Sequence, residues 1–165
     1  MIIYSLHERL IQSSPDKVGA LLDTLAGPED SLWPGDNWPP MGFDAALGAG
    51  ASGGHGPVRY HVSEYLPGRR VEFRFDPAGI VPGLRGRHFF EVIPDGDHTT
   101  LRHVIDGTGD AATWLKWKLM VEPLHDALLQ DALDLAENRL GADPPKSSPW
   151  GFRVGLLRWF AARAA

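Results

Sequence analysis

The stretch from Ala112 to Leu140 constrains this chain more than any short motif, because it follows a run of hairpin-linked strands and reads as one long amphipathic helix. At about 100° per residue, Trp114, Trp117, Val121, Leu124, Leu128, Leu129, Ala132, Leu135 and Leu140 fall on one broad side. His125 lies in the middle of that side and Glu122 near its edge. A wide apolar face that holds a few ionisable groups predicts a wall shared by a core and a ligand cavity. Pro123 has no backbone N–H and presses on the carbonyl of Leu119, which predicts a kink in this helix.

The helix needs a surface to cover. Val58, Tyr60 and Val62 alternate with Arg59, His61 and Ser63 before the turn Leu66-Pro67-Gly68-Arg69. Val71, Phe73 and Phe75 alternate with Glu72, Arg74 and Asp76 on the return. His88, Phe90 and Val92, the turn Pro94-Asp95-Gly96-Asp97, and Leu101, His103 and Ile105 continue the scheme. This is an antiparallel meander with one wet face, and the long helix is the element able to cover the other.

Upstream, Ile2 to Gln12 is rich in strand formers. Ser14, Pro15 and Asp16 then supply a helix start, Val18, Leu21, Leu22 and Leu25 an apolar stripe, and Gly27-Pro28 a stop. The Gly- and Pro-rich chain that follows, to Pro57, predicts a short helical turn, a weak strand near Gly42 to Leu47, and a loop. Within it, Gly48 to Gly53 spells a dinucleotide-binding fingerprint, but Gly54, Gly56 and Pro57 rule out the helix that would point at a pyrophosphate. A hairpin tip acting as a flap over a cavity mouth fits better. Trp33, Trp38, Met41 and Phe43 either line that mouth or cap the end of the core.

With 165 residues the chain is about one domain long. A net charge of -5 opposes general affinity for nucleic acid, and the absence of cysteine excludes disulfides and thiolate metal sites. The start, MIIYSLHERL, lacks the pattern of a signal peptide, and no apolar run is long enough to span a membrane, so a cytoplasmic location is the expectation. The organisation read from the chain is a ligand-binding domain over residues 1–141, a linker over 142–150, and a C-terminal amphipathic helix over 151–165. That tail groups Phe152, Leu156, Trp159 and Phe160 with Arg153, Arg158 and Arg163, the residue types of a membrane-surface helix. Docking onto its own domain, or onto a second copy in a homodimer, suits so short a helix better than stable lipid anchoring.

The order of elements resembles the START-related helix-grip superfamily (SRPBCC). The segments SSPDKVGALLDTL, EYLPGRRVEFRF and EVIPDGDHTTLRHVID are similar to its polyketide cyclase/dehydrase and lipid-transport branch. The resemblance covers about Ile2 to Leu140. It implies an α+β helix-grip fold, in which a curved antiparallel sheet wraps around a long C-terminal helix, with two short helices after the first strand and a hydrophobic cavity between sheet and helix. No catalytic residue is shared across that superfamily, so none is carried over. Its iron-binding members would require a His-rich ligand set, and no such motif stands here.

Residue by residue, the expected ligand-binding set is Tyr60, Phe73, His88, Phe90, His103, Trp117, Val121, Glu122 and His125. Tyr60, His88 and His103 lie on apolar strand faces, so their polar tips point toward His125 and can orient a carbonyl or hydroxyl of a greasy guest. If the protein is an enzyme, of cyclase or dehydratase type, His125 and Glu122 are the acid/base pair, three residues apart on one helix. The plainer alternatives are a His125 bonded to a backbone carbonyl with Glu122 turned to water, or a slipped strand register that sends the other histidines to solvent. No two histidines share a metal-binding spacing, and the strand carboxylates alternate to the opposite face, so neither a metal nor another cofactor is expected. The expected function is binding of a small hydrophobic molecule: lipid, aromatic or polyketide-like. A membrane-facing lipid shuttle is a further alternative.

Overall fold

In the computed structural model, which describes residues 1–76 and 83–164 with side chains through residue 158, seven strands form one antiparallel sheet. In chain order they are β1 (Ile2–Ile11), β2 (Met41–Phe43), β3 (Ser52–His55), β4 (Val58–Leu66), β5 (Arg70–Phe75), β6 (Arg85–Asp95) and β7 (His98–Thr108). Their spatial order is β1-β7-β6-β5-β4-β3-β2. Tight turns set this order. Gly68 and Gly96 adopt positive φ, +68° and +59°, which lets β4 return as β5 and β6 as β7 with little intervening chain. The last strand then pairs with the first, placing His7 opposite His103.

A single helix, α1 (Pro15–Leu22), follows β1. The second short helix expected after it is absent: the chain from residue 23 to 40 forms turns and bends. Asp30 explains this. Its Oδ1 accepts from the amides of Leu32 and Trp33 at 3.0 and 2.8 Å, and its Oδ2 from that of Ala26 at 2.7 Å, so a side chain satisfies amides that a helix would pair internally. The aromatics of this segment cap the core. Trp33, Trp38 and Met41 are buried in it and Phe43 packs against it.

The glycine-rich stretch is likewise more ordered than its composition implies. Ser52–His55 is a strand pairing β2 with β4. A Cβ on Gly53 would lie 2.0 Å from the Gly42 carbonyl oxygen. Glycine is therefore required by crowding between backbones, not by a need for mobility. The Gly50 amide also bonds to Val62 O, and the Val62 amide to Ala51 O, each at 2.8 Å, so the end of this loop is tied to β4 rather than free to act as a flap.

The long helix runs from α2 (Ala111–Lys116) through a π-helical turn, Trp117–Val121, into α3 (Glu122–Arg139). Asp110 caps its start, accepting from the Thr113 amide at 2.8 Å. The expected disturbance at Pro123 takes the form of this π turn, in which the Glu122 amide reaches back to Trp117 O. Pro123 has no N–H to give to the carbonyl of Leu119 four residues back or to that of Lys118 five back. Arg153 donates to both, at 2.8 and 3.3 Å.

Arg153 belongs to α4 (Phe152–Ala164), which packs against α3. Arg158 holds the same helix down. Its guanidinium lies 4.4 Å from the ring centre of Trp38 and 4.1 Å from that of Trp150, and both indole N–H groups donate to Asp131. Two of the three arginines of this tail are thus turned onto the domain. The third, Arg163, lies with the side chains of Trp159 and Phe160 outside the described ones.

Two faces depart from simple alternation. On the outer face of the sheet Glu72 is buried, held by Arg70 and Arg87 at 2.8 and 3.0 Å and by the Ser63 hydroxyl at 3.1 Å. On β1 the polarity is inverted: Tyr4, Leu6 and Leu10 are exposed while His7 and Arg9 point inward. Arg9 draws this face under the helix by pairing with Asp134 at 3.0 Å, with Glu137, and with Gln130 Oε1 at 2.9 Å.

Candidate functional site

The inward faces of β4 to β7 place a band of rings beneath the long helix. Tyr60, Phe73, His88, Phe90, His103 and Trp117 are all buried. The register holds: Phe73 pairs with His88, Phe90 with His103, and His88 with Ile105, so each ring projects to the helix side. Five of the seven histidines join this band. His7 meets His125 edge to face with ring centres 5.7 Å apart, and His125 lies 5.1 Å from His103. His103 Nε2 then approaches His88 Nδ1 at 3.3 Å. His88 stacks on Phe73 and Phe75 at 4.8 Å each and meets Tyr60 edge-on, also at 4.8 Å. The Tyr60 hydroxyl lies 2.9 Å from His55 Nδ1.

Of the expected ligand-binding set, Tyr60, Phe73, His88, Phe90, His103, Trp117 and His125 therefore meet in one place. Val121 belongs to a neighbouring cluster with Ile3, Ile105 and Trp117. Glu122 does not join His125, because it pairs with Lys118 one turn back. The carboxylate facing His125 is that of its neighbour Asp126, 3.9 Å from Nδ1. His7 and His55 escaped the sequence reading. An alternating edge strand with polar residues inward hides the first, and a glycine-rich strand the second. The signal available for His7 was its period-two partnership with Arg9, another polar residue on the same face.

Electrostatically the band is held neutral. Burial pushes the His88 and His103 imidazoles well below their ordinary pKa, reinforced by the neighbouring imidazoles. His55 falls to about 3 by burial, with smaller contributions from His125 and Arg59. His125 is lowered by burial, against which Asp126 pulls upward. Burial alone would raise the Asp126 carboxyl, but the imidazoles of His125 and His7 outweigh it and hold the group below the usual carboxylate range. Burial also raises the Tyr60 phenol, keeping it protonated.

Four buried ring nitrogens have no hydrogen-bond partner: His88 Nε2, His103 Nδ1, His125 Nδ1 and Trp117 Nε1. Among the described residues the only other buried side-chain atom in that state is Asp134 Oδ2. Their hydrogen-bonding roles follow from the pairing above. Neutral His88 and His103 share one proton between Nδ1 and Nε2, so of their two remaining nitrogens one is a donor and the other an acceptor. Trp117 Nε1 is a donor. The expected open cavity under Pro123 is, however, occupied by these packed rings. Two described cavities lie elsewhere: one of about 250 Å³ between Asn37, Asp131 and Trp150, and one of about 240 Å³ bordered by Trp33, Met41, Leu135 and Arg139.

No family model matches the chain, and no curated protein matches it. Among solved structures the chain is similar to norcoclaurine synthase from Thalictrum flavum in complex with dopamine and hydroxybenzaldehyde, at 17% identity over 90% of each chain with a TM-score of 0.62. It is also similar to CalU16 from Micromonospora echinospora, at 18% identity over 98% of this chain and 86% of that one, with a TM-score of 0.59. A solution structure from Thermobifida fusca gives a TM-score of 0.66 at 15% identity, covering 88% of this chain and 97% of that one. These likenesses establish the helix-grip fold: an open antiparallel sheet gripping a long C-terminal helix.

Proposed function

We propose that the interior between the sheet and the long helix binds a small, mostly apolar molecule that carries both a carbonyl and a hydroxyl group. The observation that carries this reading is the set of four buried ring nitrogens without partners. A buried polar atom left unpaired costs about 1–3 kcal/mol, so an interior evolved only to pack would fill these positions with carbon. An arene or polyketide-like guest with a carbonyl would accept from Trp117 Nε1 and from the donor of the His88/His103 pair, and its hydroxyl would donate to the acceptor of that pair. Phe73, Phe90 and Tyr60 supply apolar walls at about 25 cal/mol per Å² removed from water. Access lies at the seam between β1 and α3, where the side chains of His7 and His125 are each 12% exposed. The rings there must part to admit the guest. Norcoclaurine synthase and CalU16 support the reading as holders of the same fold.

The test is calorimetric titration with hydroxyacetophenone, using ethylbenzene as the matched hydrocarbon. Saturable one-to-one binding of the first, lost in His88→Phe and His103→Phe, is the expected result. Equal binding of both compounds, or of neither, overturns the reading.

Acid–base catalysis on the bound molecule is a second reading, favoured by the carboxylate of Asp126 beside His125. It predicts that His125→Gln removes turnover and leaves binding within about threefold, the signature of an interaction made in the transition state.

A further inference from the structure

At the solvent end of the histidine band three ligand-type side chains converge from two elements. His7 projects from β1, and His125 and Asp126 from the first turns of α3. Asp126 Oδ1 lies 3.0 Å from His7 Nε2 and 3.9 Å from His125 Nδ1, and one ligand atom from each of the three residues falls within 4.8 Å of the others. We propose that His7, His125 and Asp126 form a binding site for a divalent transition-metal ion.

Donor atoms about 2.1 Å from a tetrahedral ion stand roughly 3.4 Å apart, a value that the two measured separations bracket. Small side-chain rotations would close the set. The donor types, two imidazoles and one carboxylate, suit Zn²⁺, Co²⁺ or Fe²⁺ rather than Mg²⁺ or Ca²⁺. A second observation points to an absent partner at the same spot: His125 Nδ1 is buried and makes no hydrogen bond. With three protein ligands the ion would keep an open position. The neighbouring His103, its ring centre 5.1 Å from that of His125, marks the direction of the ring band.

The surroundings also define what must change on binding. Gln130 Oε1 accepts from Arg9 Nη2 at 2.9 Å, which orients its amide nitrogen toward His7 Nδ1 at 3.3 Å. His7 Nδ1 is therefore the acceptor, and Nε2–H donates to Asp126. A metal on Nε2 requires the proton on Nδ1 instead, so the Gln130 amide must turn over and accept from it. Arg9 then loses one hydrogen bond but keeps both Asp134 and Glu137. Ligating imidazoles commonly donate their second N–H to an oxygen acceptor, and a carboxylate at position 130 would supply one without turning over.

The experiment uses the full chain, stripped with EDTA and titrated with Zn²⁺ or Co²⁺ alone. One ion bound per chain is expected, with visible Co²⁺ absorption bands of a low-coordinate site and paramagnetic shifts of the His7 and His125 imidazole resonances. His7→Ala and Asp126→Asn should each weaken binding by at least about 100-fold, and Gln130→Glu should tighten it by about tenfold. The variant His61→Ala, on the exposed outer face of β4, should leave it unchanged. Absence of saturable binding overturns the proposal, as does binding that persists in Asp126→Asn or leaves the His7 and His125 resonances unmoved. The wild-type spectra decide the matter even if a variant fails to fold. The proposal does not depend on an organic guest in the interior, so failure of one leaves the other standing.

Discussion

Acidification from pH 7 to pH 5 should unfold this protein, or bring it to the edge of unfolding, and the effect can be worked from three residues. His55, His88 and His103 are buried with pKa values far below the ordinary 6.5, so they stay neutral in the folded state at pH 5. In the unfolded chain each titrates normally and takes up a proton as the pH drops. The unfolded state then binds more protons, so stability falls with pH: it is fully present above about 6.5 and is lost steadily below it. Each imidazole favours unfolding by about 1.9 kcal/mol more at pH 5 than at pH 7, and the three together by about 6 kcal/mol. That is comparable with the whole stability of a typical domain, about 5–15 kcal/mol. Asp126 does not confuse the measurement, because a carboxylate with a lowered pKa surrenders its contribution only below about pH 4. Urea unfolding followed by tryptophan fluorescence at pH 7, 6 and 5 measures the loss. The variant His88→Phe should remove about one third of the slope. If the unfolding free energy changes by less than about 1 kcal/mol over this range, or if the His88 and His103 resonances titrate near 6.5 in the folded protein, the assignment of a neutral buried band is wrong.

Three other outcomes follow from the geometry. The double variant His88→Phe/His103→Leu replaces a polar pair and two unpaired nitrogens with carbon, and should gain about 1–3 kcal/mol in urea unfolding while losing hydroxyacetophenone binding; a loss of stability would mean that those nitrogens are satisfied. Gly19→Ala would put a Cβ 2.4 Å from the Gly68 carbonyl oxygen and force α1 off the β4–β5 turn, so about 1–3 kcal/mol should be lost, and an unchanged urea midpoint would show that α1 is free to shift. Arg153→Ala returns the Lys118 and Leu119 carbonyls to water and should speed amide exchange throughout α4, with β6 and β7 unaffected; unaltered exchange would mean that the stack of Arg158 on Trp38 and Trp150 suffices to hold the helix.

The sheet was readable wherever alternation was strict. From Val58 to Ile105, period two assigned inward faces that the register bears out, including Tyr60, His88 and His103. It became unreadable where a residue answered to a tertiary neighbour instead of a local period. Gly53 belongs to a strand because another backbone crowds it, Asp30 prevents a helix through its side chain, and β1 turns Arg9 inward because acids on α3 await it. The same cause concealed part of the candidate site. His7 and Asp126 lie on elements far apart in sequence and meet the band only through the β1–β7 pairing and the grip of the helix, while His55 reaches Tyr60 across the pairing of a glycine-rich strand with β4. A search for spaced motifs has no access to such meetings, whereas the orphaned nitrogens become visible once every buried polar atom is matched to a partner.

The π turn between α2 and α3 phases the two halves of the long helix separately. In an uninterrupted α-helix Trp117 and His125, eight residues apart, would point about 80° from one another. The extra residue accommodated by the wide turn cancels most of that offset, and the two rings sit side by side with centres 5.8 Å apart. Closing the wide turn into regular α-helix with every residue kept would therefore act like a twist applied at a single joint, swinging either the indole or the imidazole out of the interior, whereas excising one residue there would leave the rings seven apart and nearly in phase.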